Sequence, residues 1–432
     1  MAKKIIVAGA GHGGIAAAAI LARAGFEVTV YEKKHARADM GYDWPDTFEL
    51  ESLNAAQLPL PDETKFTKST NITFVPPSEN TIITQDLPPE ALTVKMERKE
   101  LYKLLISTAE EAGVKFKFKS EITAPLLAGD RVIGIKTAKK EHFADLVIDA
   151  CGCNSLIRKA LPECLGIQKE PAMNEKFYVY RGLYEKKQEA FHKYKVYLIP
   201  NGRMGIGWVI GCRNYTDILL GEFEPFTLEE AQERIEFFKA NNPALGDKLL
   251  RGGQLAEIPV RQTLAIIVAD GYAAIGDSAF MTMPLIGSGI SNSFKAAGIL
   301  ADVIINDKTE TYSAETLWDY QKRYFNEVGF TMAKMALVRC LLPKLTAEEV
   351  DNAFDNQLLT IDDLAISTNG IQIDTSLIKK AIAVIKDRNL SSMLAELVTD
   401  FGKLSSISSK LPEHYCRKEV IEWAEKYNSI FN

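Results

Sequence analysis

The sequence predicts an α/β fold: a parallel-sheet domain with an appended β-meander, a discontinuous antiparallel-sheet domain and a helical C-terminal region. Three observations predict it. A strand, a glycine turn, a helix and a second strand occupy residues 1–34. Short alternating strands separated by turns fill 114–149, and 331–432 reads as helical.

The first unit opens with the β-branched strand Ile5–Ala8, followed by Gly9-Ala10-Gly11-His12-Gly13-Gly14. Small, helix-favouring residues run from Ile15 to Ala24 and stop at Gly25. Phe26 to Glu32 is the second strand, and the whole reads as a Rossmann-like βαβ unit. Gly9 permits the tight turn, Gly11 lets the backbone approach a pyrophosphate, and Gly14 lets the helix pack closely on the strand. Amides at the helix N-terminus then face phosphates with the positive end of the helix dipole. Ala18 adds a further small packing position. Glu32, ending the second strand, is placed to accept hydrogen bonds from an adenosine ribose. A carboxylate there favours FAD or NAD over NADP, whose 2′-phosphate it would repel.

Arg98 opens the next helix, Lys99 to Ala112, with Leu101, Leu104, Leu105, Thr108 and Ala112 on one face and Gly113 as its stop. Val114 to Lys119 alternates apolar and lysine, the pattern of an exposed or edge strand. Turns at Gly129-Asp130 and Lys139-Lys140-Glu141 separate three short strands over 126–149, read as an antiparallel meander whose last member is Ala144–Asp149. Asp149 leads through Ala150-Cys151-Gly152 into a short helix ending near Lys159.

A second glycine constellation follows far downstream: Gly271-Tyr272-Ala273-Ala274-Ile275-Gly276-Asp277, then Pro284-Leu285-Ile286-Gly287-Ser288-Gly289-Ile290. A strand delivers Gly276 and Asp277, so the carboxylate can bind a polyol. Gly287, Ser288, Gly289 and Ile290 start another helix, whose amides can approach the electron-rich edge of a flavin.

These segments resemble the para-hydroxybenzoate-hydroxylase-fold flavoproteins: GxGxxGxxxA with Glu32, Arg98 with the DxxG of Asp149 to Gly152, and GD with PxxGxGI. Within that superfamily the chain is most similar to the geranylgeranyl reductase family, over roughly residues 1–330. The resemblance implies FAD as cofactor, with Glu32 on the adenosine ribose, Ile122 near adenine and Gly13 near the pyrophosphate. It also implies Arg98 near the phosphate and ribityl region, Asp277 on the ribityl side, and Gly289 and Ile290 at the isoalloxazine. Aromatic hydroxylases of this fold carry a histidine after the GD motif, where this chain has Ala279-Phe280. Gly205-Ile206-Gly207-Trp208-Val209-Ile210 resembles the aromatic strand that lines the reductases' substrate tunnel, without the Phe-Pro that normally follows the tryptophan. The paired-tryptophan motif of flavin halogenases is absent.

The catalytic residues are not identified by pattern; the candidates are Asp43, Trp44 and Trp208. Tyr42 and Trp44 read either as packing against the ring or substrate, or as loop anchors. Trp208 reads equally as a core strand residue or a tunnel wall, and His12 reads as at most a donor in the glycine turn.

Composition narrows the function classes. With 432 residues, 47% hydrophobic and 25% charged, the chain is globular and suggests about two to three domains. A net charge of −6 without a basic block argues against nucleic-acid binding. Six scattered cysteines and five histidines lacking HxxxH or HxH spacing predict neither a disulfide scaffold nor a metal site. No uninterrupted apolar run reaches membrane-spanning length, and no cleavable signal is recognised, so a cytoplasmic protein is expected, with peripheral membrane contact left open.

The expected division is an FAD-binding domain of 1–50, 92–165 and 262–330, a substrate domain of 51–91 and 166–261, and a helical region of 331–432. In that last region Asp374 or Thr375 would cap a helix bearing Leu377, Ile378, Ala381, Ile382 and Ile385. The expected function is FAD-dependent reduction of a carbon–carbon double bond in an apolar small molecule. The alternatives are aromatic monooxygenation and a flavin-bearing electron-transfer or binding protein. There is no second GxGxxG, so the reductant is transiently bound NAD(P)H or a small redox protein.

Overall fold

The computed structural model describes residues 2–40, 42–86, 93–190, 194–356, 366–367, 370–371 and 388–431. The apolar strand Lys4–Ala8 lies inside a six-stranded sheet. The order across it is Val268–Ala269, Tyr272–Ala274, Leu146–Asp149, Lys4–Ala8, Glu27–Tyr31 and Lys115–Lys117. Every neighbouring pair is parallel except the first. The chain leaves Lys4–Ala8 on one side and later returns on its other side at Leu146–Asp149. That reversal opens a crevice at the strands' carboxyl ends, where open α/β sheets bind ligands.

The meander is Ile122–Ala128, Arg131–Thr137 and Glu141–Phe143. The strand ending at Asp149, expected to be its last member, instead pairs with Lys4–Ala8 in the parallel sheet. All four residues of Leu146–Asp149 are buried, as in an interior parallel strand, whereas the meander strands expose part of each face.

Helix His12–Arg23 begins earlier than Ile15 and takes in Gly13 and Gly14. Both weaken a helix by propensity, yet neither site has room for a side chain. A Cβ at Gly13 would lie 2.8 Å from the Ser293 carbonyl oxygen, and one at Gly14 would lie 2.5 Å from Ala150 Cβ. The first contact lets His12–Arg23 pack tightly on helix Ile290–Asn306.

A seven-stranded sheet forms the second layer, in the order Leu245–Pro259, Lys176–Lys186, Thr216–Glu222, Gly205–Gly211, Tyr194–Leu198, Asn71–Val75 and Ile83–Asp86. It is antiparallel apart from the Tyr194–Leu198 and Asn71–Val75 pair. Thr216–Glu222 and Leu245–Pro259 escape sequence patterning for different reasons. The former is buried throughout and does not alternate, and the latter is broken by glycines and charges. Helix Leu228–Asn241, capped reciprocally by Thr227 and Glu230, buries Ala231, Ile235 and Phe238 against one face. The other face carries Phe177, Val179, Ile206 and Leu219. Pro45–Glu49, Thr93–Glu97 and Phe66–Lys68 make a further, small sheet.

Helices Arg388–Ser408 and Arg417–Asn428 place Leu397, Phe401, Leu404, Val420, Trp423 and Tyr427 in the same apolar core as the parallel sheet. These two helices are therefore part of the body of the molecule. The helix expected over 374–385 lies outside the described residues. Among the described residues, no helix is long and apolar enough to cross a membrane.

Two helical glycines should respond oppositely to alanine. A Cβ at Gly298 would sit 2.1 Å from the Ala55 carbonyl oxygen, whereas Gly402 has nothing within 4 Å. Gly402→Ala should stabilise by about 0.5–1 kcal/mol through backbone entropy. Gly298→Ala should destabilise by about 1–3 kcal/mol through overpacking. Urea midpoints of the purified protein check this, and shifts of the same sign would refute the packing described for Gly298.

Candidate functional site

The first glycine turn sits at the crevice. Gly9 adopts φ +84° and donates its N–H to the Tyr31 carbonyl at 2.8 Å. A side chain there would press on the Ala150 carbonyl, with Cβ 2.6 Å from the oxygen. Gly11 is the N-cap of His12–Arg23, with no side-chain cap and no acidic residue in the first turn. Its free amides and positive helix end are therefore open to an anion. The Glu32 carboxylate is buried and accepts from Ala10 N at 2.9 Å and from Lys34 N at 2.8 Å. It pins the turn to the end of the second strand. Ile122 is buried where the meander begins, opposite Thr137.

The second turn is fastened to the first through Asp149, which is completely buried beside the end of Lys4–Ala8. One carboxylate oxygen accepts from Cys151 N and Ser278 Oγ, at 3.0 and 3.1 Å. The other accepts from Ser155 Oγ at 2.5 Å and Tyr272 OH at 3.0 Å. Ser278 Oγ also accepts from Gly152 N at 2.8 Å. Next to it, Asp277 is exposed, and its Oδ1 accepts from Thr282 Oγ1 at 2.7 Å. Gly289 is the N-cap of helix Ile290–Asn306, again without a side-chain cap or an acidic first turn. Gly287 takes φ +68°. Ser288 Oγ donates to the Thr47 carbonyl at 3.3 Å, and Glu49 N donates to Ser291 Oγ at 2.9 Å. Since Gly13 abuts Ser293, the two uncapped helix N-termini open side by side.

Asp46, in strand Pro45–Glu49, links these parts. Both its oxygens accept from Arg98 Nε, at 3.0 and 2.8 Å, and Arg98 Nη2 reaches it as well. His12 Nε2 lies 3.7 Å from Asp46 Oδ2, while its ring rests on Tyr102 with centres 4.6 Å apart. Burial alone would raise the Asp46 carboxyl. The Arg98 guanidinium, with His12 beside it, outweighs burial and holds that carboxyl well below the usual carboxylate range. Arg98 thus stands beside the glycine turn, oriented by a carboxylate.

The other candidates gather around Trp44. Its ring stacks on Tyr42 at 4.3 Å, with the Arg98 guanidinium 5.6 Å from its centre. Arg181 lies between Trp44 and Trp208, 5.7 and 5.3 Å from their ring centres. Asp43 is 38% exposed, 3.2 Å from Lys99 Nζ and 3.5 Å from Arg251 Nη1. Trp208 is half-buried against the apolar sheet face.

Sequence reasoning misses Asp46, Arg181, Asp217 and Lys95. The signal they share is a charged residue inside a strand, as in Val94-Lys95-Met96. Such a charge has to be paired when buried, so it announces a partner without saying where that partner lies.

An extended dinucleotide suits this donor set. The glycine cradle would be filled by any side chain, and the amides of two helix ends lie open beside it. Residues 2–323 match the FAD-binding domain family. A digeranylgeranylglycerophospholipid reductase from Haloferax volcanii is 22% identical over 390 residues, covering 85% of this chain and 92% of that protein. A protein of the same name from Sulfolobus acidocaldarius is 29% identical over 150 residues, covering 34% of this chain and 33% of the relative's own length. The crystal structure of a geranylgeranyl bacteriochlorophyll reductase-like protein from Thermoplasma acidophilum shares the fold, with TM-score 0.76 and 20% identity over 92% of this chain and 99% of that one. This chain belongs to the FAD-binding domain family and is an FAD-dependent oxidoreductase.

Proposed function

We propose that this oxidoreductase reduces a carbon–carbon double bond in an apolar, isoprenoid-like small molecule. The observation that carries the reading is the match to the Haloferax reductase over most of both chains.

In this reading Gly9, Gly11, Gly13 and Gly14 make room for the pyrophosphate at the N-terminus of His12–Arg23. Glu32 accepts from the adenosine ribose, and Ile122 packs near adenine. Arg98, held by Asp46, faces the phosphate and ribityl region, and Asp277 accepts from the ribityl hydroxyls. FAD, when bound and reduced by its electron donor, would supply a hydride to one carbon of the double bond. Amides of Gly287, Ser288, Gly289 and Ile290 stabilise negative charge at the ring edge. Trp44 and Trp208 exclude water and align the chain. Asp43, at the solvent-facing edge, relays a proton from water. The electron donor is NAD(P)H or a small redox protein.

Two aspartates flanking the same strand should separate cofactor binding from folding. Asp277 is exposed at the turn, whereas Asp270 Oδ1 accepts from Ala314 N at 2.7 Å at the start of helix Ala314–Tyr324, whose N-cap is Ser313. Asp277→Ala should weaken FAD binding about ten- to hundred-fold, the loss of a charge-assisted hydrogen bond. Asp270→Ala should retain FAD and lose about 1 kcal/mol of stability. Equal FAD retention by the two variants would remove Asp277 from the site.

The reaction class is tested with the photoreduced protein under argon. Reoxidation by an isoprenoid alkene, giving saturated product, is the expected result. Product formed under labelled dioxygen should carry no label. One labelled oxygen atom per product would show a monooxygenase instead.

A further inference from the structure

The helix that Arg98 opens carries a second polar side chain to the glycine turn. Tyr102 lies one turn after Arg98 in helix Arg98–Glu111, so the two share a face of that helix. Leu101 and Leu105 are fully buried in the core, and Tyr102 is only 6% exposed. Its ring packs on that of His12, the first residue of helix His12–Arg23, with centres 4.6 Å apart. The phenol therefore stands beside the uncapped helix end whose amides are free.

Four charges act on this phenol: Arg98, Asp46, Glu32 and Asp277. Burial raises it above its ordinary value, Arg98 pulls it down, and the three carboxylates push it up again, so the hydroxyl keeps its proton. Glu32 ends the second strand and Asp277 follows the second glycine turn, and Tyr102 is near enough to both to feel their charge. None of these carboxylates takes its hydrogen. Glu32 accepts from the Ala10 and Lys34 amides, Asp46 from Arg98, and Asp277 from Thr282 Oγ1. Among the described residues the Tyr102 hydroxyl has no hydrogen-bond partner, although a buried phenol ordinarily finds one. A neutral donor is thus left unspent between the two turns.

We propose that Tyr102 is a further cofactor-binding residue, whose hydroxyl donates to a pyrophosphate oxygen of FAD. The inference rests on the reading above, which puts the pyrophosphate at the start of helix His12–Arg23. A hydrogen bond from a neutral hydroxyl is strengthened when its acceptor is charged, as a phosphate oxygen is. Packing on His12 fixes where the hydroxyl stands, so little order remains to be imposed when the cofactor enters. The glycine fingerprint does not announce this donor, because it comes from a different helix.

Tyr102→Phe tests this, since it keeps the ring on His12 and removes only the hydroxyl. FAD dissociation constants are measured by reconstitution of the apoprotein, those of ADP by its displacement of FAD, and the unfolding midpoint is taken on the apoprotein. FAD and ADP should both bind about ten-fold or more weakly to the variant, with the apoprotein midpoint unchanged. Unchanged FAD affinity would overturn the proposal. So would a loss confined to FAD, which would put the hydroxyl on the ribityl side, or a loss accompanied by a lower apoprotein midpoint, which would mark a packing role. Failure of the underlying reading looks different: ADP would then not displace FAD from the native protein, and the inference would fall with it.

Discussion

The arrangement of the candidate site depends on one buried carboxylate. Asp46 grips Arg98 through both oxygens and lies within ion-pair range of His12 in the first glycine turn. Its own strand also holds the second helix N-terminus, through Thr47 to Ser288 and Glu49 to Ser291. Segments far apart in the chain are thereby set against each other by a single short strand. Removing the Asp46 charge would leave Arg98 without its partner, and breaking a buried pair from one side typically costs about 3–5 kcal/mol.

Around that point two buried acids of the crevice are already engaged. Glu32 accepts from two backbone amides, and Asp149 accepts from four donors. Neither uncapped helix has an acidic residue in its first turn. The free amides at these two helix ends are the groups that favour an anion there. On the antiparallel sheet Asp217 pairs with both Arg181 and Lys95.

Much of this was legible from glycine chemistry. Gly9 and Gly287 need positive φ, and Gly13 and Gly14 leave no room for a side chain, so each leaves a mark in the sequence. The ion pairs did not, because Asp46 with Arg98 and Arg181 with Asp217 join segments whose relative placement is decided by long-range packing. Leu146–Asp149 shows the same limit. Its apolar run is compatible with either the meander or the parallel sheet, and only its pairing with Lys4–Ala8 decides. Asp149 could be recognised as part of a motif, but its four donors come from residues spread between Cys151 and Ser278.

If Asp46 unites the glycine turn with Arg98, its effect on cofactor binding must depend on His12. The direct test is a double-mutant cycle of FAD dissociation constants for the native protein, Asp46→Asn, His12→Phe and the double variant, measured by reconstitution of the apoprotein. His12→Phe keeps a ring on Tyr102 and removes the nitrogen facing Asp46. The account requires a coupling of at least about 1 kcal/mol between the two substitutions, as for residues that share one network. Effects on FAD affinity that simply add would contradict it and reduce Asp46 to a local partner of Arg98.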